Sequence, residues 1–383
     1  MLLVSALMCL IFLYNSRFAS RNDDNQNQAA GRELAVLLGI IEENFICDFD
    51  ARDVTDAALR AAVEALGDRW SFYLTPDEYA EYLNNASNHY TGIGVGVVID
   101  EETGQIEVIY TYRGSPAEKA GVLAGDVITE VDGESLIGVS LDDMRELLAR
   151  PIGETAELTV LRSDGSFLTI SVVYDYVFTD PIDYEMLEDD IGYVYIANFE
   201  GSSANSFISA ISSLLDDGAR AFVFDVRGNG GGRVSEMTRM LDYLLPEGEI
   251  FVSVGKDGVE DVTWSDSDML DVPVVVIVDR YSFSAAEYFA ATLKEYGYAE
   301  IVGEQTTGKS RSQLTLELPD GGALHISTSQ YLTKNRVALA EVGGVTPDHL
   351  LALNDEEFNM LLSGTLEKAD DPQLQLALSL LNM

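Results

Sequence analysis

The stretch VPVVVIVDRYSFSAAEYFAATLKEY, Val272 to Tyr296, decides the fold. Its first part, Val272 to Val278, is almost wholly apolar and β-branched, which reads as a strand buried on both faces. Its last part, Ala285 to Tyr296, carries apolar residues at helical spacing. Between them lies the short polar turn Asp279-Arg280-Tyr281-Ser282-Phe283-Ser284. A buried strand that turns at once into a helix is the repeating unit of an α/β sheet. Working outward, the same alternation recurs. Gly192 to Asn198 reads as a strand and Ser203 to Leu215 as a helix closed near Gly218, while Ala221 to Val226 is a buried strand followed by a helix over Val234 to Leu245. Two hairpins interrupt the alternation: Phe251 to Val254 with Val259 to Trp264, and Gln313 to Leu318 with Ala323 to Ser327 around Asp320-Gly321-Gly322. The segment 176–353 is therefore expected to be one mixed α/β domain.

Upstream the pattern changes. Over 90–175, short β-branched runs (Val95 to Ile99, Ile106 to Tyr110, Val127 to Val131, Ala156 to Leu161, Phe167 to Val173) alternate with Gly and Asp turns. One helix is expected in this segment, over Leu141 to Leu148, opened by Ser140 and Asp143 in a capping-box pattern. Residues 31–89 read as helical, with one stripe at Leu34, Val36, Leu37 and Ile40, another from Ala57 to Leu66, and a further helical turn from Pro76. The tail, 354–383, reads as mostly helical and without evident chemistry. Residues 1–30 form an apolar leader and linker. Met1 to Tyr14 is uncharged and shorter than the roughly 20 residues a spanning helix needs, which suits the core of an export signal. No basic residue precedes it, so cleavage and membrane anchoring through residues 1–14 both stay open. Export to the cell envelope or beyond is the expectation.

With 65 acidic against 23 basic residues, the net charge is -42. Nucleic acid and anionic lipid headgroups both need a basic surface, so neither is expected as a partner. Two cysteines, Cys9 and Cys47, cannot make a disulfide framework, and the three histidines, His89, His325 and His349, show no ligand spacing. No metal or organic cofactor is implied.

Three loops follow the ends of expected strands, where open α/β sheets place their sites. They are Asp225-Val226-Arg227-Gly228-Asn229-Gly230-Gly231-Gly232, Asp279 to Glu287, and Thr307-Gly308-Lys309-Ser310-Arg311-Ser312-Gln313. Ser284 enters a helix, where free N–H groups favour developing negative charge. A serine nucleophile needs a base. No histidine stands near these loops in the sequence, whereas Lys309 does, and burial would lower its pKa enough to make it neutral. Each feature also has a plainer reading. Ser284 to Glu287 is itself a capping-box pattern, Ser282 is a rival nucleophile, and a glycine run is a tight turn. Gly303 to Ser310 also satisfies GxxxxGK[ST], a phosphate-binding loop, but that motif requires a following helix. Here Leu314, Leu316 and Leu318 alternate with polar residues, which predicts a strand.

In the 90–175 segment, Thr91-Gly92-Ile93-Gly94-Val95-Gly96-Val97 would leave backbone N–H groups free to capture a terminal carboxylate, or would simply be a glycine-rich turn. The residues Gly114-Ser115-Pro116-Ala117-Glu118-Lys119-Ala120-Gly121, Gly125-Asp126-Val127-Ile128 and Val131-Asp132-Gly133 resemble the PDZ domain of bacterial processing proteases. Behind it, the three loops match DxRGNxGG, SxSAxE and TxGKxxxQ in order, and the chain from Leu34 to Leu351 resembles the C-terminal processing peptidases, serine proteases with a Ser/Lys dyad. The resemblance implies a crotonase/ClpP-like α/β protease core with an inserted PDZ domain. It implies Ser284 as nucleophile, Lys309 as general base, Gln313 as support for the lysine, and the backbone N–H groups of Gly231 and Ala285 as oxyanion donors. It also implies that Gly92, Ile93, Gly94 and Val95 bind the free, hydrophobic C-terminus of a protein or peptide substrate. Gly230, Phe283, Ala286 and Ser310 depart from the usual family residues without removing a reacting group. Asp225 and Arg227 read as supports of the oxyanion loop, and Glu287 as a helix cap. A catalytically inactive peptide-binding scaffold is the alternative, and oligomeric state, homo-oligomers included, is left open.

Overall fold

The computed structural model describes residues 24–99, 103–136, 138–139 and 147–382. The apolar leader and most of the helix expected over Leu141 to Leu148 lie outside the described residues.

Six strands form the sheet beneath the three loops, in the order Ile182–Met186, Ile191–Ile196, Ala221–Asp225, Val274–Val278, Ala299–Gly303 and His349–Leu350. The first pair is antiparallel and every later pair parallel. A parallel interior must be covered on both faces, and the sequence meets that demand: Val274–Val278 and Ala221–Asp225 are buried at every position. One face packs on the helices Ser203–Asp216, Val234–Leu244 and Ala285–Glu295 through Phe207, Leu241 and Phe289. The opposite face is closed by the helix Pro372–Leu381, whose Leu374 and Ala377 join Val223, Val275 and Ile277.

A second, antiparallel sheet flanks the first. Ala323–Leu332 pairs with Phe72–Leu74, with Gly248–Gly255 and, along its other edge, with Arg311–Glu317. The inserted β domain has its own core, built on Ile106, Val108, Leu158 and Val172. The chain enters and leaves it through two paired strands, His89–Gly92 and Asp175–Phe178.

Among the described residues, seven short strands escaped the sequence reading: Phe72–Leu74, His89–Gly92, Glu134–Ser135, Asp175–Phe178, Ile182–Met186, Ala299–Gly303 and His349–Leu350. Residues 31–82 were expected to be helical throughout, but the helices Asp24–Asn44, Ala51–Glu64 and Pro76–Asn85 are interrupted by the strand Phe72–Leu74. Three residues carry no periodic signal, and this strand exists by pairing with Ala323, Leu324 and His325, some 250 positions away. Ala299–Gly303, five residues long, is fixed as a strand by its parallel neighbours Val274–Val278 and His349–Leu350.

Candidate active site

Ser284 is the residue before the helix Ala285–Glu295, with φ 59° and ψ -122°. A non-glycine residue in this region is strained by on the order of 1–3 kcal/mol. Such strain is characteristic of a nucleophile on a sharp strand-to-helix turn, which lifts the hydroxyl clear of the sheet. Among the described residues, no acceptor meets the N–H of Ala285, the first residue of that helix. Ser282, the rival, is fully buried. Its Oγ donates to Val226 O at 2.7 Å and accepts from Asp279 N at 3.0 Å, so it ties the first two loops together.

Gly231 presses on this turn. Its φ is +96°, and a Cβ there would lie 2.7 Å from Ser284 Cβ and 2.9 Å from Ala285 N. Its N–H, expected to point at the reacting carbonyl, here donates to Asn229 Oδ1 at 2.8 Å, while Asn229 Nδ2 donates to Ile196 O at 2.7 Å. Gly230 and Gly232 are the loop glycines that line the cleft.

Lys309 is 9% exposed and lines the same cleft as Ser284, a cavity of about 510 Å³. Its Nζ lies 4.5 Å from the centroid of the Trp70 ring. Burial lowers the ammonium to about 8, against the opposing pull of Asp68 and Glu287 and with a small contribution from Arg69. Among the described residues no hydrogen bond joins Lys309 Nζ to Ser284 Oγ. Catalytic contacts of this kind are commonly loose before substrate arrives. Tyr331 donates its hydroxyl to Lys309 O at 2.7 Å, which fixes the backbone at Lys309.

The carboxylate of Glu287 joins the second and third loops and does more than cap a helix. Oε1 accepts from Thr306 Oγ1 at 2.6 Å and Gly308 N at 2.8 Å, and Oε2 from Lys309 N at 2.7 Å and Ser284 N at 3.1 Å. One fully buried side chain thus spaces the backbones of Ser284 and Lys309. Burial raises its pKa, and the ring of donors resists that rise.

Gln313 lines the cleft, but its Nε2 donates to Arg311 O at 2.9 Å and Ser327 Oγ at 3.0 Å, within its own hairpin. Asp225 and Arg227 pair beneath the glycine loop, buried from solvent, and Tyr193 donates to Asp225 Oδ2 at 2.7 Å. The tail completes this group: Arg227 Nη2 meets Asp371 at 2.7 Å and its Nη1 donates to Gln373 Oε1 at 3.0 Å. The reading of the tail as chemically silent is corrected by these contacts.

His325 is a second residue the sequence placed apart from the site. It lines the cleft, stacked 4.5 Å from Phe72, with Nδ1 2.8 Å from Thr315 Oγ1. Burial first and the Lys309 charge second lower its pKa to about 4, so it is neutral at physiological pH. No local pattern marks it, because the hairpin Arg311–Glu317 with Ala323–Leu332 folds it back over the lysine loop. That hairpin also disposes of the phosphate-loop reading, since Lys309 leads into the strand Arg311–Glu317 and no helix N-terminus follows.

In the inserted domain, Gly92 ends a strand, Ile93 is buried in the core, and Val95 opens the next strand. Gly94, at φ +79°, accepts from Tyr112 N at 3.1 Å and Ser115 Oγ at 3.2 Å through its carbonyl. Among the described residues, no acceptor meets the N–H of Ile93 or Gly94.

Residues 190–351 match the peptidase family S41 model, and residues 107–162 match a PDZ domain. The chain is 30% identical over 318 residues to the chloroplastic C-terminal processing peptidase of Tetradesmus obliquus, covering 78% of this chain and 68% of that protein. It is 27% identical over 332 residues to the carboxy-terminal processing protease CtpA of Bacillus subtilis, covering 86% and 71%. Among solved structures, the photosystem II D1 C-terminal processing protease superposes with a TM-score of 0.51 at 28% identity, covering 86% of this chain and 90% of that one. The chain belongs to peptidase family S41, as a PDZ-containing serine peptidase of the C-terminal processing group.

Proposed function

We propose that this chain is an exported endopeptidase that holds the C-terminal tail of a protein substrate on its PDZ domain and cleaves by a Ser284/Lys309 dyad. The observation that carries the reading is the shared cleft: a strained serine at a helix entrance faces a buried lysine whose ammonium is lowered to about 8. Neutral Lys309 takes the Ser284 proton as Oγ attacks the scissile carbonyl. The tetrahedral oxyanion is met by the Ala285 N–H and by the glycine loop, where Gly231 would serve once it leaves Asn229. Collapse expels the amine with the proton held by Lys309, and water, deprotonated by the same lysine, releases the acyl group. Gln313 Oε1, the end of the amide not used within the hairpin, is the acceptor available to steady the lysine. The PDZ loop supports tail capture through the Ile93 and Gly94 N–H groups.

The test is cleavage of an unfolded substrate with an apolar tail. Ser284→Ala and Lys309→Ala are each expected to lower kcat/KM by at least about 10³-fold, with tail binding retained. Because the base works only when neutral, activity should rise with pH through a limb near 8. Cleavage that survives either substitution would return the chain to the inactive-scaffold reading.

A further inference from the structure

Trp70 lies outside both matched regions, in the connection between the helix Ala51–Glu64 and the strand Phe72–Leu74. That connection nevertheless delivers an indole to the side chain of Lys309. Lys309 Nζ stands 4.5 Å from its ring centroid, and the ring of Phe283, the neighbour of Ser284, lies 5.8 Å away at a tilt of 31°. The connection is anchored to the hairpin that carries the base. Asp68 Oδ1 pairs with Arg311 at 3.1 Å. Ser71 Oγ donates to Asp68 Oδ2 at 2.6 Å and accepts from Ser327 N at 3.0 Å. Phe72–Leu74 then pairs with Ala323 to His325. Arg69 lays its guanidinium 4.2 Å from the same indole. Trp70 is therefore held from both sides rather than resting loosely on the surface.

Building on the Ser284/Lys309 reading, we propose that Trp70 is a positioning residue for the base: its ring covers the ammonium, keeps bulk water from Nζ and holds the side chain beside the nucleophile turn. The charged and titratable groups facing Lys309 come from three elements. Asp68 and Arg69 sit on Trp70's own connection, Glu287 on the nucleophile helix and His325 on the hairpin. Asp68 and Glu287 favour the cation, Arg69 opposes it, His325 is neutral, and burial outweighs them all. The indole acts in two opposed ways. Its π face favours the cation, whereas its bulk excludes water and disfavours it. Burial is the larger cause here, so removing the whole ring should make Lys309 more basic. A smaller apolar side chain that keeps part of the bulk should make it more basic by less.

The test uses the full-length chain and the pH dependence of kcat/KM between pH 6 and 10. Trp70→Ala is expected to move the rising limb to higher pH by about one unit or more, which lowers activity at neutral pH about 10-fold per unit and restores it towards pH 10. Trp70→Leu is expected to move the limb the same way by less, and Trp70→Phe, which keeps a π face and more of the bulk, to move it least. Equal losses at every pH in the Ala and Leu variants, with the limb unmoved, would show a merely structural role and overturn the proposal. Should Trp70→Ala fail to fold by circular dichroism, the Leu variant decides: an alkaline shift supports the proposal, and an unmoved or acid-shifted limb defeats it. Lys309→Ala separates the two layers. Activity in that variant removes the dyad itself, whereas loss of activity there together with unmoved limbs at position 70 removes only the role of Trp70.

Discussion

Ser284 can hold its strained backbone because a glycine stands against it. A methyl group at position 231 would enter the space of Ser284 Cβ at 2.7 Å, and φ +96° disfavours any side chain there. The variant Gly231→Ala should therefore push the nucleophile turn outward and disturb the oxyanion loop together. We expect kcat/KM to fall by at least about 10²-fold while circular dichroism stays unchanged. The rate at which a fluorophosphonate labels Ser284 is the direct measure, and labelling within tenfold of the parent would show that the contact is slack. Loop motifs mark Ser284 and Lys309 in the sequence. No local pattern marks Trp70 or His325: Trp70 is brought to Lys309 by a strand that pairs some 250 positions away, and His325 lies on the strand that folds back along Arg311–Glu317.

At the level of elements, the tail shows how far support for a site extends. Asp371 accepts from Gln373 N and Leu374 N, both at the start of the helix Pro372–Leu381, and pairs with Arg227 under the oxyanion loop. The cap and the ion pair are thus one side chain. A helical tail was foreseen from its apolar spacing, but its docking was not, because a helix period says which face is buried and not against what. Breaking a buried pair leaves an uncompensated charge, at a cost near 3 kcal/mol, and losing an N-cap adds about 1 kcal/mol. Arg227 keeps Asp225, so the combined loss should fall short of that sum. Asp371→Ala is expected to lower stability by about 2–4 kcal/mol in urea titration and to reduce kcat more than KM, since the loop beneath the nucleophile loses its anchor. A variant as stable as the parent would mean that the Asp225 contact alone holds Arg227.

For the whole molecule the question is how a tail held in one domain reaches chemistry in another. The PDZ unit is inserted through the strand pair His89–Gly92 and Asp175–Phe178, and the loop proposed to bind the tail begins at the last residue of the first of these strands. On that proposal, tail capture and the route into the protease core are continuous along the backbone. The strongly acidic composition, net -42, repels an anionic tail at long range, so capture has to come from short-range N–H groups and apolar contact. Gly94 is the vulnerable position: its φ is +79°, and an added Cβ would lie 2.4 Å from Ser115 Cβ and 3.1 Å from Val177 Cγ1. Gly94→Ala must tilt the loop and misdirect its N–H groups. The expected result is a rise in Kd for a peptide with a free apolar C-terminus of about tenfold or more, the loss of one or two charge-assisted hydrogen bonds. The KM of a tailed substrate should rise in parallel and kcat should change less, because the dyad is built on other loops. Amidating the peptide's C-terminus should reproduce the loss in the parent protein and add nothing in the variant. If the amidated and free tails bind the parent equally, the loop does not read the carboxylate, and recognition must be assigned to the apolar side chains of the tail alone.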